Sequence, residues 1–150
     1  MIFQYILVII AYLLGAIPFS VILGKHFKGI DVRKLGSGNP GGTNSLRFLG
    51  FKLGAIIVFL DVLKGALIVL LVRFEVFGSV ELLHPLVYGL AASLGHAFSI
   101  FIGFRGGKAV GTTVGMLIAY NLLYASIIGV VFFIVLKIFK FVALLQLVLH

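Results

Sequence analysis

The chain begins with the stretch MIFQYILVIIAYLLGAIPFSVILG, residues 1–24, in which no side chain is charged. A helix crosses the hydrocarbon core of a bilayer with about 20 apolar residues, so this stretch is long enough to span a membrane. It is not typical of a cleaved signal peptide, because no basic residue precedes the apolar run and no A-x-A site follows it. Pro18 is expected to bend the helix, which membrane helices tolerate where neighbours satisfy the freed carbonyl.

Three further apolar runs follow, at residues 53–72, 82–102 and 110–136. Residues 141–149 are also apolar, but they are too short to cross a bilayer alone. The whole chain is 62% hydrophobic and only 11% charged, with a mean hydropathy of +1.28. Soluble domains carry about 25% charged residues. We therefore predict a single domain over residues 1–150: an all-α, polytopic membrane helical bundle with about four full spans, a short C-terminal apolar segment and Gly-rich cytoplasmic loops.

Two charged residues interrupt the second apolar run. Asp61 and Lys64 lie three positions apart, so they share one helix face and can pair. Charges within a span usually face the interior of a bundle or a wet cavity. A structural pair and a functional pair both remain open. In the fourth run, Gly111, Gly115 and Ala119 recur every four positions, a spacing that suits close helix contact.

The basic residues predict the orientation in the membrane. One acidic residue, Asp31, stands in the first loop against Lys25, Lys28, Arg33, Lys34, Arg47 and Lys52, whereas the second loop has one arginine against two glutamates. The third loop contains Arg105 and Lys108. The positive-inside rule then places the N-terminus outside and the first and third loops in the cytoplasm. Lys137 and Lys140 would fall outside on a count of four spans, which conflicts mildly with the rule.

The first loop contains the sequence GSGNPGGTNSLR, residues 36–47. Its glycines allow positive φ, and successive N–H groups in such turns form anion-binding nests. Arg47 adds a guanidinium that matches a phosphate or carboxylate. No GK[ST] closes this loop, so it is not a Walker-type P-loop. Taken alone, a mobile Gly/Asn turn explains it equally well.

The third loop reads GFRGGKAVGTT, residues 103–113. Gly106, Gly107 and Lys108 precede a helix start, where backbone donors, the positive end of the helix dipole and an ammonium can hold a phosphate together. A positive-inside anchor with a tight turn is the alternative. Two such loops on the same membrane face favour a shared anion site.

The lead-ins to these two loops are similar. LGAIPFSVILGKHFKG, residues 14–29, resembles LGHAFSIFIGFRGGK, residues 94–108. We infer a duplicated two-span unit related by an axis along the membrane normal. Chance similarity between apolar segments is the alternative.

Metal and nucleic-acid functions find no support in the sequence. The chain has no cysteine, and its four histidines show no ligand spacing. No aromatic-rich basic surface for bases is evident. A net charge of +8 in so apolar a chain favours anionic lipid headgroups or anionic substrates over nucleic acid.

The two loop motifs, together with GAIPFS at residues 15–20 and DVLKG at residues 61–65, resemble the bacterial acyl-phosphate:glycerol-3-phosphate acyltransferases, the PlsY family. The resemblance covers residues 15–113. It implies a multi-pass enzyme of the bacterial inner membrane with a cytoplasmic site and no cofactor or metal. Such an enzyme transfers an acyl group from acyl phosphate to the 1-hydroxyl of sn-glycerol 3-phosphate and yields lysophosphatidic acid.

The resemblance also implies the site residues. The catalytic group would comprise Ser37, Arg47 and His96, and the substrate-binding group Gly38, Asn39, Gly41, Asn44, Gly106, Gly107, Lys108 and Thr112. No His–acid pair is spaced to activate Ser37 as a nucleophile, so we expect Ser37 to act through hydrogen bonds. The proton of the attacking hydroxyl would pass to His96 or to a substrate phosphate. Asn39 or Asn44, with backbone N–H groups of the first loop, could stabilise the oxyanion.

The sequence departs from the family pattern at several positions. Ala109 stands where the family usually has Gly, Gly42 where it usually has Ala, and Ser99 where Pro is common. The family's third motif, with a His, an Asn and a Glu, is absent, and the last residues read VALLQLVLH. A premature stop, a reading-frame slip or a shortened paralogue would each explain this, and we expect the chain as written to be inactive or severely impaired. A membrane anion or phosphate transporter component is the other alternative.

Overall fold

The computed structural model describes residues 2–78 and 82–148, with side chains as far as residue 139. Within these residues all regular structure is helical. The seven α-helices are α1 (Ile2–Ala16), α2 (Phe19–Lys28), α3 (Gly42–Leu49), α4 (Phe51–Arg73), α5 (Pro85–Ala97), α6 (Val110–Tyr120) and α7 (Leu122–Val148), with short 3-10 turns at Val32–Lys34 and Ile100–Ile102. The chain forms two compact units, Met1–Tyr120 and Asn121–His150.

Among the described residues, four helical segments are long and apolar enough to cross a membrane: Ile2–Lys28, Phe51–Arg73, Pro85–Ile102 and Leu122–Phe139. Many large apolar side chains on these segments are exposed, among them Phe59 at 63%. Exposed apolar surface of this extent belongs in lipid rather than water. The predicted all-α membrane bundle with about four spans is therefore confirmed.

The predicted boundaries of the fourth span were wrong. Residues 110–136 do not form one helix, because the chain is interrupted at Asn121. The side-chain oxygen of Asn121 accepts hydrogen bonds from the backbone N–H groups of Leu123 (2.9 Å) and Tyr124 (3.2 Å). Asparagine in this position caps a new helix N-terminus. The interruption leaves α6 as an 11-residue helix, shorter than a span.

The C-terminal apolar segment is likewise not separate from the helix before it. α7 continues from Leu122 to Val148, so Lys137 and Lys140 lie within this helix. Residues 149 and 150 lie outside the described part of the chain.

The first span is broken at Pro18, as predicted. Proline has no N–H, so α1 ends at Ala16 and α2 begins at Phe19. The carbonyl of Ile17 at the break accepts a hydrogen bond from Lys64 Nζ at 2.9 Å. A buried cation from α4 therefore stabilises the interruption in the first span.

Glycines bring α1 and α5 together. A β-carbon on Gly15 would overlap the backbone of Ala92, and one on Gly95 would overlap the carbonyl of Tyr12. The two contacts are reciprocal: Ala92 lies three residues before Gly95, and Tyr12 lies three residues before Gly15. The helices approach so closely only because neither glycine has a side chain.

The contact between α4 and α6 follows the same rule. A β-carbon on Gly65 would overlap the backbone of Thr112, and one on Gly115 would overlap the backbone of Val62. These contacts are also reciprocal, because Thr112 lies three residues before Gly115 and Val62 lies three residues before Gly65. The same reciprocal glycine contacts thus join α1 with α5 and α4 with α6. The duplicated two-span unit stays a prediction.

Two buried apolar clusters pack the described residues of the first compact unit, Met1–Tyr120. One packs α1, α4, α5 and α6 around the fully buried Tyr88, with Ala11, Ile68 and Val69 against it. The other consists of Val21, Val32, Leu49 and Ile57. The second cluster anchors the loop that carries residues 36–47 to α2 and α4.

Candidate active site

The first loop is fixed to the end of α2 by one carboxylate. Asp31 caps the 3-10 turn by accepting a hydrogen bond from the Arg33 N–H at 3.1 Å, and its carboxylate accepts two more from the Arg33 guanidinium at 2.9 and 2.7 Å. Lys25 Nζ lies 3.4 Å from the same carboxylate. The hydrogen bond from the Arg33 side chain holds the pKa of the Asp31 carboxyl well below its usual value. The Asp31 carboxyl group therefore stays ionised at physiological pH.

Asn44 braces this loop from beneath. Its amide nitrogen donates to the carbonyls of Val32 (2.9 Å) and Leu35 (3.1 Å), and the residue is buried. Both amide hydrogens are thus used within the protein. The expectation that Asn39 or Asn44 donates to a substrate oxyanion stays a prediction, and the occupied amide hydrogens of Asn44 favour Asn39 for this role.

The side chain of Ser37 is accessible at the surface of the protein. Ser37 is exposed, and its hydroxyl accepts a hydrogen bond from the Asn39 N–H at 3.4 Å. The next residue is anchored: the carbonyl of Pro40 accepts a 2.7 Å hydrogen bond from the buried Ser20. This anchoring disfavours the interpretation of the loop as a mobile turn.

A helix that the sequence analysis missed begins directly after this turn. α3 starts at Gly42, and its first turn borders the site with Thr43. The N-terminus of a helix presents free N–H groups and a partial positive charge to an anion. Gly50, with φ of 85°, separates α3 from α4. The glycine after the amphipathic segment NSLRFL was the available signal for this helix.

The third loop uses its glycines differently from our expectation. The N–H of Gly106 donates to the carbonyl of Ala97, and that of Gly107 to the carbonyl of His96, each at 3.0 Å. These two donors are therefore not available to a phosphate. A β-carbon on Gly106 would overlap the His96 carbonyl, and one on Gly107 would overlap His96 Nε2. The glycines are needed because the loop lies against the end of α5.

Ala109 takes a backbone conformation that favours glycine. Its φ is 55°, in the left-handed region, and the residue is nearly buried at the start of α6. An L-residue other than glycine costs roughly 1–2 kcal/mol there. The family's usual glycine at this position thus has a conformational reason.

One cavity of about 590 Å³ brings most of the predicted residues together. Seven of them line it: Ser37, Asn39, Gly41, Asn44, Arg47, His96 and Lys108. Arg47 and Lys108 are exposed, so their cationic groups remain accessible to solvent and ligand. The starts of α3 and α6 contribute Gly42 and Thr43, and Val110 and Gly111. Cations and helix N-termini therefore converge on one space.

Four apolar side chains form a further part of the wall, which sequence reasoning did not identify. Leu46 of α3, Val58 and Val62 of α4, and Val114 of α6 line the cavity beside the cationic groups. Periodicity alone shows only that such residues belong to helices, not which cavity they face. The combination of cations and apolar wall fits an amphiphilic anion.

Four predicted residues do not line this cavity. Gly38 forms a turn with φ of 69°, and Gly106 and Gly107 lie behind His96. Thr112 is fully buried where α6 meets Gly65, and its hydroxyl has no hydrogen-bond partner among the described residues. The contact of Thr112 with substrate stays a prediction that this packing against α4 does not favour.

A buried ionic group forms part of the cavity wall, because Asp61 and His96 both line the cavity. Asp61 Oδ1 is 2.8 Å from Lys64 Nζ and 3.4 Å from His96 Nδ1, and all three residues are at most 8% exposed. The predicted pairing of Asp61 with Lys64 is confirmed. The contact with His96 could not be predicted, because it joins two helices that are distant in sequence.

Comparison with known proteins identifies relatives over nearly the whole chain. A family model described as glycerol-3-phosphate acyltransferase matches residues 5–150. A glycerol-3-phosphate acyltransferase of Bacillus cytotoxicus is 48% identical over 148 residues, which cover 99% of this chain and 73% of the relative. One from Limosilactobacillus reuteri is 49% identical over 130 residues, covering 87% of this chain and 61% of the relative.

Solved structures agree with these relatives. A crystal structure of PlsY, an integral membrane glycerol 3-phosphate acyltransferase, in its glycerol 3-phosphate form is 40% identical with a TM-score of 0.75, covering 92% of this chain and 66% of that one. The lysophosphatidic acid form has a TM-score of 0.71 and covers 83% of this chain and 60% of that one. The chain thus spans less than two thirds of the length of that solved protein. It belongs to the glycerol-3-phosphate acyltransferase family of integral membrane proteins.

Proposed function

We propose that this protein transfers an acyl group from acyl phosphate to the 1-hydroxyl of sn-glycerol 3-phosphate, giving lysophosphatidic acid and phosphate. The observation that carries the proposal is the single cavity in which Arg47, Lys108 and two helix N-termini face an apolar wall. The two substrates together carry two phosphates and one acyl chain, which matches these two kinds of surface.

Each group has a defined part in the reaction. Lys108 and the start of α6 bind the phosphate of glycerol 3-phosphate, and Arg47 with the start of α3 binds that of the donor. The hydroxyl oxygen attacks the carbonyl carbon, the bond to the phosphate oxygen breaks, and phosphate leaves. The hydroxyl proton passes to His96 or to a substrate phosphate, while Ser37, Asn39 and free N–H groups at the start of α3 stabilise the oxyanion.

We also propose that the cavity opens on the cytoplasmic side of the bacterial inner membrane, with the N-terminus outside. The basic character of the first and third loops supports this orientation.

On the proposed function, the purified protein in detergent forms lysophosphatidic acid from labelled glycerol 3-phosphate and palmitoyl phosphate, a result that would contradict the inactivity expected from the sequence. Palmitoyl-CoA as the donor and glycerol as the acceptor serve as controls and are expected to give no product. Product from the thioester alone would contradict the acyl phosphate proposal, and no product from either donor would contradict acyl transfer. Exchange of labelled phosphate in proteoliposomes would instead favour the transporter alternative.

A further inference from the structure

A second cavity, of about 480 Å³, lies along α2 and shares no lining residue with the candidate active site. We call it the α2 groove. Its apolar wall consists of Ile17 at the break, Val21 and Ile22 of α2, and Phe101 and Ile102 of the second 3-10 turn. Ile22 and Phe101 are 48% and 57% exposed, so the wall is open to the surroundings of the protein. Around a membrane-spanning segment these surroundings are acyl chains.

Two cations complete the lining of the α2 groove. Lys25 lies one turn beyond Val21, about 6 Å further along the helix axis, and Arg33 lies beside it. Oδ2 of Asp31 joins them, at 3.4 Å from Lys25 Nζ and 2.7 Å from the Arg33 guanidinium. The Asp31 side chain is only 10% exposed, whereas those of Lys25 and Arg33 are 56% and 34% exposed. The positive charges therefore face outward, and the carboxylate lies behind them.

The net charge of this cluster is +1, from two cations and one carboxylate. A phosphodiester carries a single negative charge and would neutralise it, whereas a phosphate monoester carries about −1.5 to −2 and would leave an excess. Arg33 gives two of its five N–H donors to the Asp31 side chain, and the others can donate to phosphate oxygens. The charge of the cluster thus matches a diester headgroup.

We propose that the α2 groove binds an anionic glycerophospholipid with one phosphodiester, of the phosphatidylglycerol type. Its phosphate binds Lys25 and Arg33, and one acyl chain lies on the apolar wall. Basic pockets between membrane helices bind anionic headgroups in this way. Because the wall comes from α2 and from the turn after α5, the bound lipid joins these two parts of the protein. The site does not depend on the proposed acyl transfer.

Tryptophan fluorescence can report which lipid occupies the groove, because the chain contains no tryptophan. Phe101→Trp places the indole in the groove wall, and Phe59→Trp places it at an exposed position of α4 outside the groove. Each variant is reconstituted in dioleoylphosphatidylcholine with increasing fractions of brominated phosphatidylglycerol or brominated phosphatidylcholine, which quench a neighbouring indole. In Phe101→Trp we expect phosphatidylglycerol to bind about fivefold more tightly than phosphatidylcholine. In Phe59→Trp we expect the two lipids to quench equally.

Charge reversal on the Phe101→Trp background tests the headgroup contact. Lys25→Glu is expected to abolish the preference for phosphatidylglycerol. Lys28→Glu makes the same change at an exposed residue of α2 that does not line the groove, and it is expected to keep the preference. If Lys25→Glu does not fold, Lys25→Gln with Lys28→Gln as its control gives the same comparison without a new negative charge.

Three results would overturn the proposal: equal quenching by both lipids in Phe101→Trp, the same preference in Phe59→Trp, or equal losses in the Lys25 and Lys28 variants. The last would show a response to net surface charge and not to a site. Tighter binding of brominated phosphatidic acid than of phosphatidylglycerol would overturn the diester assignment. Added glycerol 3-phosphate is expected to leave the quenching unchanged, and reversal by it would contradict a site separate from the acyl-transfer cavity. Because no readout uses turnover, an inactive chain would leave these outcomes decisive.

Discussion

Gly107 leaves the space that the His96 imidazole occupies, since a β-carbon at residue 107 would overlap Nε2. The Gly107 N–H also donates to the His96 carbonyl at 3.0 Å, so loop and histidine are fixed together. The glycine thus acts on the site through the histidine and not as a donor to substrate.

Gly107→Ala is therefore expected to displace His96 and to lower kcat by about 10²-fold, the contribution typical of a positioned acid–base group. Gly129→Ala is the control, because a β-carbon there meets nothing within 4 Å. Steady-state kinetics of both variants check the prediction. Wild-type kcat in Gly107→Ala would show that the position of His96 does not matter.

Lys108→Ala tests the binding of glycerol 3-phosphate. The loss of one charged hydrogen bond is expected to weaken binding by about 1.5–3 kcal/mol, which raises the KM for this substrate about 10- to 150-fold. Lys52→Ala removes an exposed lysine that does not line the cavity and is expected to leave the KM unchanged. An equal KM in the two variants would contradict the role of Lys108.

Asn44 and Asn39 are expected to respond oppositely to truncation. Asn44→Ala removes two hydrogen bonds to loop carbonyls and should lower the free energy of unfolding by roughly 1–3 kcal/mol. Asn39 lines the cavity, so Asn39→Ala should leave the thermal midpoint unchanged and lower turnover. Thermal unfolding in detergent and the acyl transfer assay check both. An unchanged midpoint in Asn44→Ala would be the contrary result.

Ala109→Gly is expected to stabilise the protein. Glycine adopts the φ of 55° found at this position without the strain of an L side chain, and the gain should be about 1 kcal/mol after its greater freedom in the unfolded chain is subtracted. Ala125→Gly in α7 is the opposite case and should cost roughly 1 kcal/mol, because it lies inside a helix. A lower midpoint in Ala109→Gly would contradict this account.

The orientation can be tested with single cysteines, because the chain contains none. Lys52 and Glu75 are exposed and lie at opposite ends of α4, Lys52 in its first turn and Glu75 just after its last residue. A membrane-impermeant maleimide should label Glu75→Cys in intact cells and Lys52→Cys only after permeabilisation. Labelling of Lys52→Cys from outside would contradict a cytoplasmic site.

The sequence by itself determined the class of protein and the number of spans. Hydropathy is a local property, so four apolar runs predicted four spans, and Pro18 predicted the break in the first one. The two glycine-rich loops, with Arg47 and Lys108, indicated a candidate anion site, because residue type and spacing are also local properties of the sequence.

The tertiary structure decided which donors and faces take part in the site. Backbone and amide N–H groups have many possible partners, and only the approach of particular carbonyls assigned those of Gly106, Gly107 and Asn44 within the protein. The direction of a helix face is likewise set by packing, which turned Thr112 toward α4 and brought Asp61 to His96. Sequence spacing cannot give these relations, because they join residues on different helices.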